Sequence, residues 1–247
     1  NKFKSWLRGG ENDEDSAIHR LRQGFVNIDT PSTFGEINNS CFAIGSCFAR
    51  EIEDELERRN ISCLSKSSIV KCINDSPDLF KVNNVGGRPY AFLNRYSPAS
   101  LKTFFDFIQD KSLGNSLLVP SKDNSSLYDD LLFTRLFEPL ELDLCIRRRE
   151  EVKKATKSAL QNSSRLIVTL GLIEYYSIQS KGDIIAANIP PSLNSSSFND
   201  FSFNLETTST TVSNIKHIIK SARRLNNNIE VILTVSPVPL DATFRDM

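Results

Sequence analysis

Three short apolar runs, separated by longer stretches of mixed polarity, predict the strands of a central sheet. They cover residues 41–44, 166–170 and 230–235. Strands that are buried on both faces of a parallel sheet are nearly continuous in apolar residues instead of alternating with polar ones. We therefore expect these three runs to pair in one mainly parallel sheet. Residues 61–64 and 184–187 are shorter runs of the same kind and are further candidate strands.

Helical periodicity occupies the stretches between these runs. Phe48, Ile52 and Leu56 recur every four residues directly after the first run, a spacing that places them on one face of an amphipathic helix. Further helices are predicted at residues 101–108, 142–162 and 211–225. In the last of these helices, the expected apolar face consists of Val212, Ile215, Ile219 and Ala222. Polar stretches rich in Asn, Ser or Pro at 74–96, 115–130 and 190–204 are expected to be loops.

The alternation of strands with long helices indicates an α/β fold, a three-layer αβα sandwich around the parallel sheet. Residues 1–40 are polar and include an acidic cluster from Glu11 to Asp15. They predict an N-terminal arm that precedes a domain at 41–247. The chain starts at Asn1 and stops at Met247, soon after the last apolar run. We expect this domain to be incomplete at its C-terminus.

Composition narrows the possible functions and settings. Lys and Arg together equal Asp and Glu at 30 each, so no net field would gather nucleic acid, and no apolar run is long enough to span a membrane. The five cysteines are an odd number and lack the paired spacing of metal ligands. We expect a reducing, cytoplasmic setting and no bound metal or cofactor. The absence of a glycine-rich phosphate loop argues against a nucleotide-binding protein.

Candidate chemistry follows the ends of the predicted strands, because ligands of parallel α/β sheets bind outside the carboxyl ends of the strands. The first apolar run leads into Gly45-Ser46-Cys47, and the second leads into Gly171. Ser46 is a candidate nucleophile, and serine is equally a favoured residue at a helix N-cap. Cys47 is an alternative nucleophile, although a small cysteine packed behind the turn is the expected arrangement.

The residues 44–50, Ile-Gly-Ser-Cys-Phe-Ala-Arg, resemble the motif that names the GSCFA family, which is similar to the SGNH hydrolases. Residues 169–174 (Thr-Leu-Gly-Leu-Ile-Glu) and 233–240 (Leu-Thr-Val-Ser-Pro-Val-Pro-Leu) resemble two further blocks of that family in the same order. Residues 94–97 are a weaker match, with Leu93 where glycine is usual. The resemblance covers about residues 41–245 and implies an SGNH-like or flavodoxin-like arrangement.

The resemblance implies roles for particular residues. Ser46 stands at the position of the nucleophile, with its hydroxyl facing a cleft, and Asn94 lies in the block that lends an oxyanion donor. Gly171 opens the third block, which lacks its usual asparagine here, so Asn94 or Asn188 is expected to supply the amide. Glu174 is expected either to orient substrate or to hold a backbone N–H.

A base for Ser46 is missing from the sequence pattern. SGNH enzymes use a histidine near the C-terminus, preceded by an aspartate. His19 precedes the candidate nucleophile and His217 lies on a predicted helix, so both are expected to be solvated surface residues. Asp241 and Asp246 are expected to lie in surface loops. The resemblance therefore implies a histidine beyond Met247, and the chain alone is expected to show little or no esterase activity.

The function that this resemblance implies is that of a serine esterase or O-acyltransferase acting on ester-linked acyl groups. The substrate would be a small molecule or, more specifically, a carbohydrate or polysaccharide ester. The alternative is a non-catalytic carbohydrate-binding or interaction domain that keeps the SGNH scaffold. The missing histidine and asparagine favour this alternative.

Overall fold

A computed structural model describes residues 4–5, 40–81, 89–110, 115–121, 124–133, 137–179, 184–186, 200–235 and 242–243. The chain divides into a unit of residues 38–235 and a smaller unit of residues 1–37 with 236–247. In the smaller unit, β1 (Lys4–Ser5) pairs antiparallel with β10 (Ala242–Thr243). The candidate residues Asn188, His19, Asp241 and Asp246 lie outside the described residues.

The larger unit alternates strands and helices along most of its described length. Its strands are β2 (Cys41–Gly45), β3 (Leu118–Pro120), β4 (Tyr128–Asp130), β5 (Arg165–Leu170), β6 (Glu174–Ile178), β7 (Ile184–Ala186), β8 (Phe201–Leu205) and β9 (Glu230–Val235). Its α-helices are α1 (Phe48–Arg58), α2 (Leu64–Asp75), α3 (Pro98–Ile108), α4 (Leu142–Gln161) and α5 (Thr208–Leu225), with 3₁₀ turns at Pro77–Leu79 and Pro89–Leu93. None of these helices combines the length and the apolar character that crossing a bilayer would require.

The central sheet has the strand order β2-β5-β9, and both of its pairings are parallel. The prediction of an α/β fold with these three runs in one parallel sheet is therefore confirmed. The register places Ile44 opposite Val168 and Val168 opposite Leu233, so these three residues form one row across the sheet. The remaining strands form small antiparallel sheets, β3 with β4 and β6 between β7 and β8.

Alternate residues of the central strands belong to two separate hydrophobic clusters. Phe42, Ile44 and Val168 belong to the larger cluster, which also contains residues of α3, α4 and α5. Ala43 and Ile167 belong to a smaller cluster with residues of α1. Successive side chains of a strand point to opposite faces of the sheet, so helices cover both faces. This gives the expected three layers.

Several predicted elements were wrong. Leu64 begins α2, and Cys63 makes only an isolated parallel bridge to Cys41, so residues 61–64 are not a strand. The three predicted loops contain the end of α2, both 3₁₀ turns, the β3–β4 hairpin and most of β8. Most of these segments are too short to show a clear period, whereas β8 alternates between apolar and polar residues next to a Ser/Asn-rich stretch.

The apolar face of α5 also differs from the prediction. Ile218, Ser221 and Ala222 are its buried residues, whereas Val212 is 44% exposed. Ser221 is small enough to lie against a neighbouring helix, and its hydroxyl bonds with the side chain of Gln109. Ala222 is buried as predicted and Ile215 and Ile219 are half-buried, so the hydrophobic pattern placed this face correctly only in part.

Candidate functional site

The turn after β2 depends on Gly45. Its φ is +137°, a backbone conformation that residues with a Cβ rarely adopt. A Cβ at this position would lie 2.1 Å from the carbonyl oxygen of Thr169. The next residue continues the pairing with β5, because the Ser46 amide donates to that same carbonyl at 3.0 Å. Glycine at this position therefore allows the end of β2 to pack directly against β5.

Ser46 is held closely by this arrangement. The side chain belongs to a residue that is only 2% exposed, and its Oγ lies 3.2 Å from Oγ1 of the fully buried Thr169. The N-cap of α1 is Cys47, and it makes no side-chain capping bond, so the interpretation of Ser46 as a helix cap is wrong. The structure places the Ser46 hydroxyl against β5, where the resemblance had implied an open cleft.

Cys47 is exposed, contrary to the expectation that it packs behind the turn. All five cysteines lie within the described residues, and the other four are buried. Cys47 immediately precedes the first residue of α1. The first amides of the helix are already engaged, because the Ala49 amide donates to the Ser46 carbonyl at 2.9 Å and the Arg50 amide donates to the Cys47 carbonyl at 3.0 Å.

Two distant segments meet at this turn. The amides of Gly171 and Leu172 both donate to the carbonyl of Tyr96, at 3.3 and 2.7 Å, and the amide of Arg95 donates to the carbonyl of Gly45 at 2.6 Å. A Cβ on Gly171 would lie 2.9 Å from Cβ of Ser46. The structure thus brings together the end of β2, the end of β5 and the segment at 94–96.

Asn94 and Tyr96 add polar groups beside Cys47. Asn94 is 7% exposed, and its Oδ1 has no hydrogen-bond partner in the described part of the chain. Burial raises the pKa of the Tyr96 phenol, nearby Cys47 raises it further, and a hydrogen bond with the Asn94 side chain opposes the shift. The Asn94 amide and the Tyr96 phenol therefore form a polar cluster, and the phenol lies within electrostatic range of Cys47.

Arg95 holds this segment in place and was not identified from the sequence. It is completely buried, and its guanidinium donates to the carbonyls of Phe92, Asn94 and Leu132. It also lies 4.7 Å from the ring centre of Phe104 on α3. Burial lowers the pKa of Arg95 to about 9. The weak family match at 94–97 identified the segment from the sequence. A further sign that Arg95 has a structural role was its position among aromatic residues.

Buried polar side chains of α1 and α2 form hydrogen bonds with the backbone of β2. Arg50 Nη2 donates to the carbonyl of Ala43 at 3.0 Å, and the Ala43 amide donates to Ser65 Oγ at 3.1 Å. Ser65 also donates to Glu53. Arg50 Nη1 lies 2.9 Å from Glu53 Oε2, yet neither atom has hydrogen-bond geometry. The pair is therefore in electrostatic contact without an aligned bond.

Glu53 is unusual among the acidic residues of the chain. Burial raises its pKa to about 7, against the opposing effects of Arg50, Ser65 and Lys66. Desolvation of a carboxylate outweighs a neighbouring cation when the pair is out of water and poorly aligned. Glu53 therefore gains or loses its proton near neutral pH, and it does so beside Ser65, which bonds the backbone of β2.

The other candidate residues lie elsewhere in the structure. Glu174 is the half-buried first residue of β6, and it contributes to a raised pKa of Tyr176. His217 is 25% exposed, and its Nε2 lies 2.8 Å from Oδ1 of Asp106. The expectation of a solvated surface histidine is therefore wrong, because His217 links α5 to α3. The described residues contain no cluster of His, Cys, Asp and Glu that could hold a metal ion.

Comparison with known families supplies the last observation. The sequence model of the GSCFA family matches residues 40–247. The chain belongs to the GSCFA family. The match begins one residue before β2 and includes the end of β5 and the segment at 94–96, so all three parts of the site lie in the GSCFA domain. No curated protein and no solved structure matches the chain significantly.

Proposed function

We propose that the GSCFA domain is an ester hydrolase or O-acyltransferase whose reaction centre is the turn at 45–47. The observation that carries this proposal is the convergence of three segments distant in sequence. Hydrogen bonds from Arg95, Gly171 and Leu172 bring the end of β2 together with the end of β5 and the segment at 94–96. Ligands of parallel α/β sheets bind at this edge, beyond the carboxyl ends of the strands.

The groups at this turn suit acyl transfer. An acyl group needs a nucleophile and donors that stabilise the oxyanion of the tetrahedral intermediate. Ser46 and Cys47 are the candidate nucleophiles. Asn94 is the candidate side-chain donor, and it lies in the polar cluster with Tyr96.

The substrate class of the proposal is an ester-linked acyl group on a carbohydrate or another small alcohol. Its support is the family resemblance together with the polar character of the Asn94 and Tyr96 cluster, which suits hydroxyl groups. Hydrolysis and transfer differ only in whether water or a second hydroxyl accepts the acyl group. Five free cysteines, one of them exposed, fit a cytoplasmic setting.

A second candidate function is that of a non-catalytic domain that binds carbohydrate esters or another partner. The Ser46 hydroxyl lies against Thr169 and is almost fully buried. His217 is the one histidine among the described residues, and it contacts Asp106. A hydroxyl without a base is a poor nucleophile, which favours this second function if no other group attacks the ester.

The test measures release of p-nitrophenol from p-nitrophenyl acetate by the chain and by a Ser46→Ala/Cys47→Ala double variant. If the proposal is correct, the first equivalent is released faster by the native chain than by the double variant, because acylation precedes any later step. Equal release by both proteins contradicts the proposal. Saturable binding of glucose pentaacetate, measured by ligand-observed NMR and without acetate release, would instead establish the second function.

A further inference from the structure

We propose that the sulfur of Cys47, and not the hydroxyl of Ser46, attacks the acyl carbon. This inference deepens the proposed function and rests on it. Both residues belong to the same turn, but they differ in what surrounds them. The difference decides which atom an incoming ester can reach.

Access is the first argument. Ser46 is 2% exposed, and its Oγ faces Oγ1 of Thr169 at 3.2 Å. An ester carbonyl would have to displace that contact, and Gly171 packs so closely that a Cβ added there would lie 2.9 Å from the Ser46 Cβ. Cys47 is exposed. A substrate therefore reaches Cys47 without any rearrangement of the sheet.

The second argument concerns the base. A serine hydroxyl needs a neighbouring base to remove its proton, whereas a free thiol is already a few per cent thiolate near pH 7 and is a strong nucleophile in that form. The described histidine, His217, is engaged with Asp106 between α3 and α5. A thiol at this position avoids the need for a triad.

The third argument comes from Asn94, which points independently to a ligand. It is 93% buried, and its Oδ1 has no partner among the described residues. A buried acceptor without a hydrogen bond destabilises the folded protein, and a ligand that donates a hydrogen bond to it would remove this cost. The Asn94 side chain bonds Tyr96, whose phenol is close enough to Cys47 to be affected by its charge. A hydroxyl of the substrate alcohol is a donor of suitable size.

The reaction step balances without another reactant. A bond forms between Cys47 Sγ and the acyl carbon, the ester C–O bond breaks, and the alcohol leaves with the proton that the thiol gave up. The product on the protein is a thioester. Water or a second hydroxyl then attacks the thioester carbon, and its proton returns to the sulfur. A thioester is more reactive than the original ester, so transfer to another hydroxyl is favourable.

The experiment locates the acyl group directly. The chain is mixed with p-nitrophenyl acetate, quenched with acid within the first turnover, and mapped by peptide mass spectrometry. We expect one acetyl group on Cys47, removed by neutral hydroxylamine as a thioester is, absent from Cys47→Ala and retained in Ser46→Ala. An acetyl group on Ser46 overturns the inference and leaves the proposed function intact. Acetylation at neither residue contradicts both.

Thiol titration provides the matched control. With Ellman's reagent and no denaturant, one of the five thiols should react in the native chain and none in Cys47→Ala, while denatured protein should show all five. Cys47→Ser keeps nearly the same size, so it separates loss of the thiol from loss of the fold, which circular dichroism verifies. If Cys47→Ser forms the acyl-enzyme as fast as the native chain, the argument from the base is wrong.

Discussion

The two flanks of the central sheet have similar sequences and different surroundings. Ile44 on β2, Val168 on β5 and Leu233 on β9 form one row, and they are 0%, 1% and 44% exposed. Val235, at the end of β9, is 78% exposed. A continuous apolar run therefore identified each strand correctly without showing how deeply that strand is buried.

Hydrogen bonds with helix side chains, in addition to apolar contacts, stabilise the flank at β2. Both backbone polar groups of Ala43 bond side chains of the flanking helices, the carbonyl with Arg50 of α1 and the amide with Ser65 of α2. The residues of β2 are all buried, whereas no residue of β9 is. The candidate site lies at the end of the buried strand. The comparison indicates that the turn at 45–47 follows the more deeply buried flank, and that the β9 flank contributes less to stability.

The largest expected effect is that of Gly45→Ala. The new Cβ would lie 2.1 Å from the Thr169 carbonyl oxygen, at a φ of +137°. Backbone strain and overpacking together should lower the free energy of unfolding by about 5 kcal/mol. Urea denaturation measures this loss, and Gly171→Ala, whose Cβ meets only the Ser46 side chain below 3 Å, should cost clearly less. Equal losses would show that the β2 turn is not specially constrained.

A matched pair tests the two flanks within one row of the sheet. Ile44→Ala removes a fully buried side chain and should cost about 3 kcal/mol. Leu233→Ala removes a side chain that is 44% exposed and should cost less than about 1 kcal/mol. Urea denaturation of both variants at the same pH gives the two values. Similar losses at the two positions would contradict the difference between the flanks.

A more gradual effect is a pH dependence of stability that originates at Glu53, which accepts a hydrogen bond from Ser65 beside β2. The pKa of Glu53 is raised from 4.5 to about 7, so the folded state binds its proton more tightly than the unfolded state. Stability from this group is greatest below the unfolded pKa and falls as pH rises from about 4.5 to about 7, by at most about 1.4 kcal/mol per pH unit. Unfolding by urea across that range should show the slope.

Two variants on α1 test whether Glu53 causes this slope. Glu53→Gln keeps an acceptor for Ser65 and should flatten the dependence between about 4.5 and about 7. Glu55→Gln is the control, because Glu55 is a surface residue paired with Arg58 and Arg59, and their hydrogen bonds and charges lower its pKa. Its removal should leave that window unchanged. A slope that survives in Glu53→Gln would assign the pH dependence to another group.

The apolar runs and the helical periodicities were sufficient to predict the three parallel strands and four of the five described helices. Helix α2 was missed because Ser and Lys interrupt its apolar positions, and β8 was missed because its two phenylalanines lie beside a Ser/Asn-rich stretch. Residues 201–205 do alternate between apolar and polar side chains, but this short alternation adjoins the polar stretch and was included in the predicted loop. Their structure depends on neighbours that other parts of the chain provide.

At the site, the glycine turn and the approach of Gly171 followed from where strands end. The burial of Arg95 and Glu53 could not be predicted in this way, since Arg and Glu side chains are usually solvated. Arg95 is buried because carbonyls that include Leu132 surround it, and Glu53 because Ser65 and Arg50 face it. The exposure of Cys47 and the contact of Ser46 with Thr169 likewise depend on how β2 meets β5.

The contact of Ser46 with Thr169 also determines when the site forms during folding. The two residues are 123 positions apart in the chain, and Arg95 reaches a carbonyl 37 positions away. Contacts between residues so distant in sequence require large loops to close, and such closure is slow and comes late in folding. No short peptide that carries the turn would reproduce its geometry. The Cys47 thiol therefore reaches its final surroundings only after the sheet has assembled, and partly folded chains lack the candidate site.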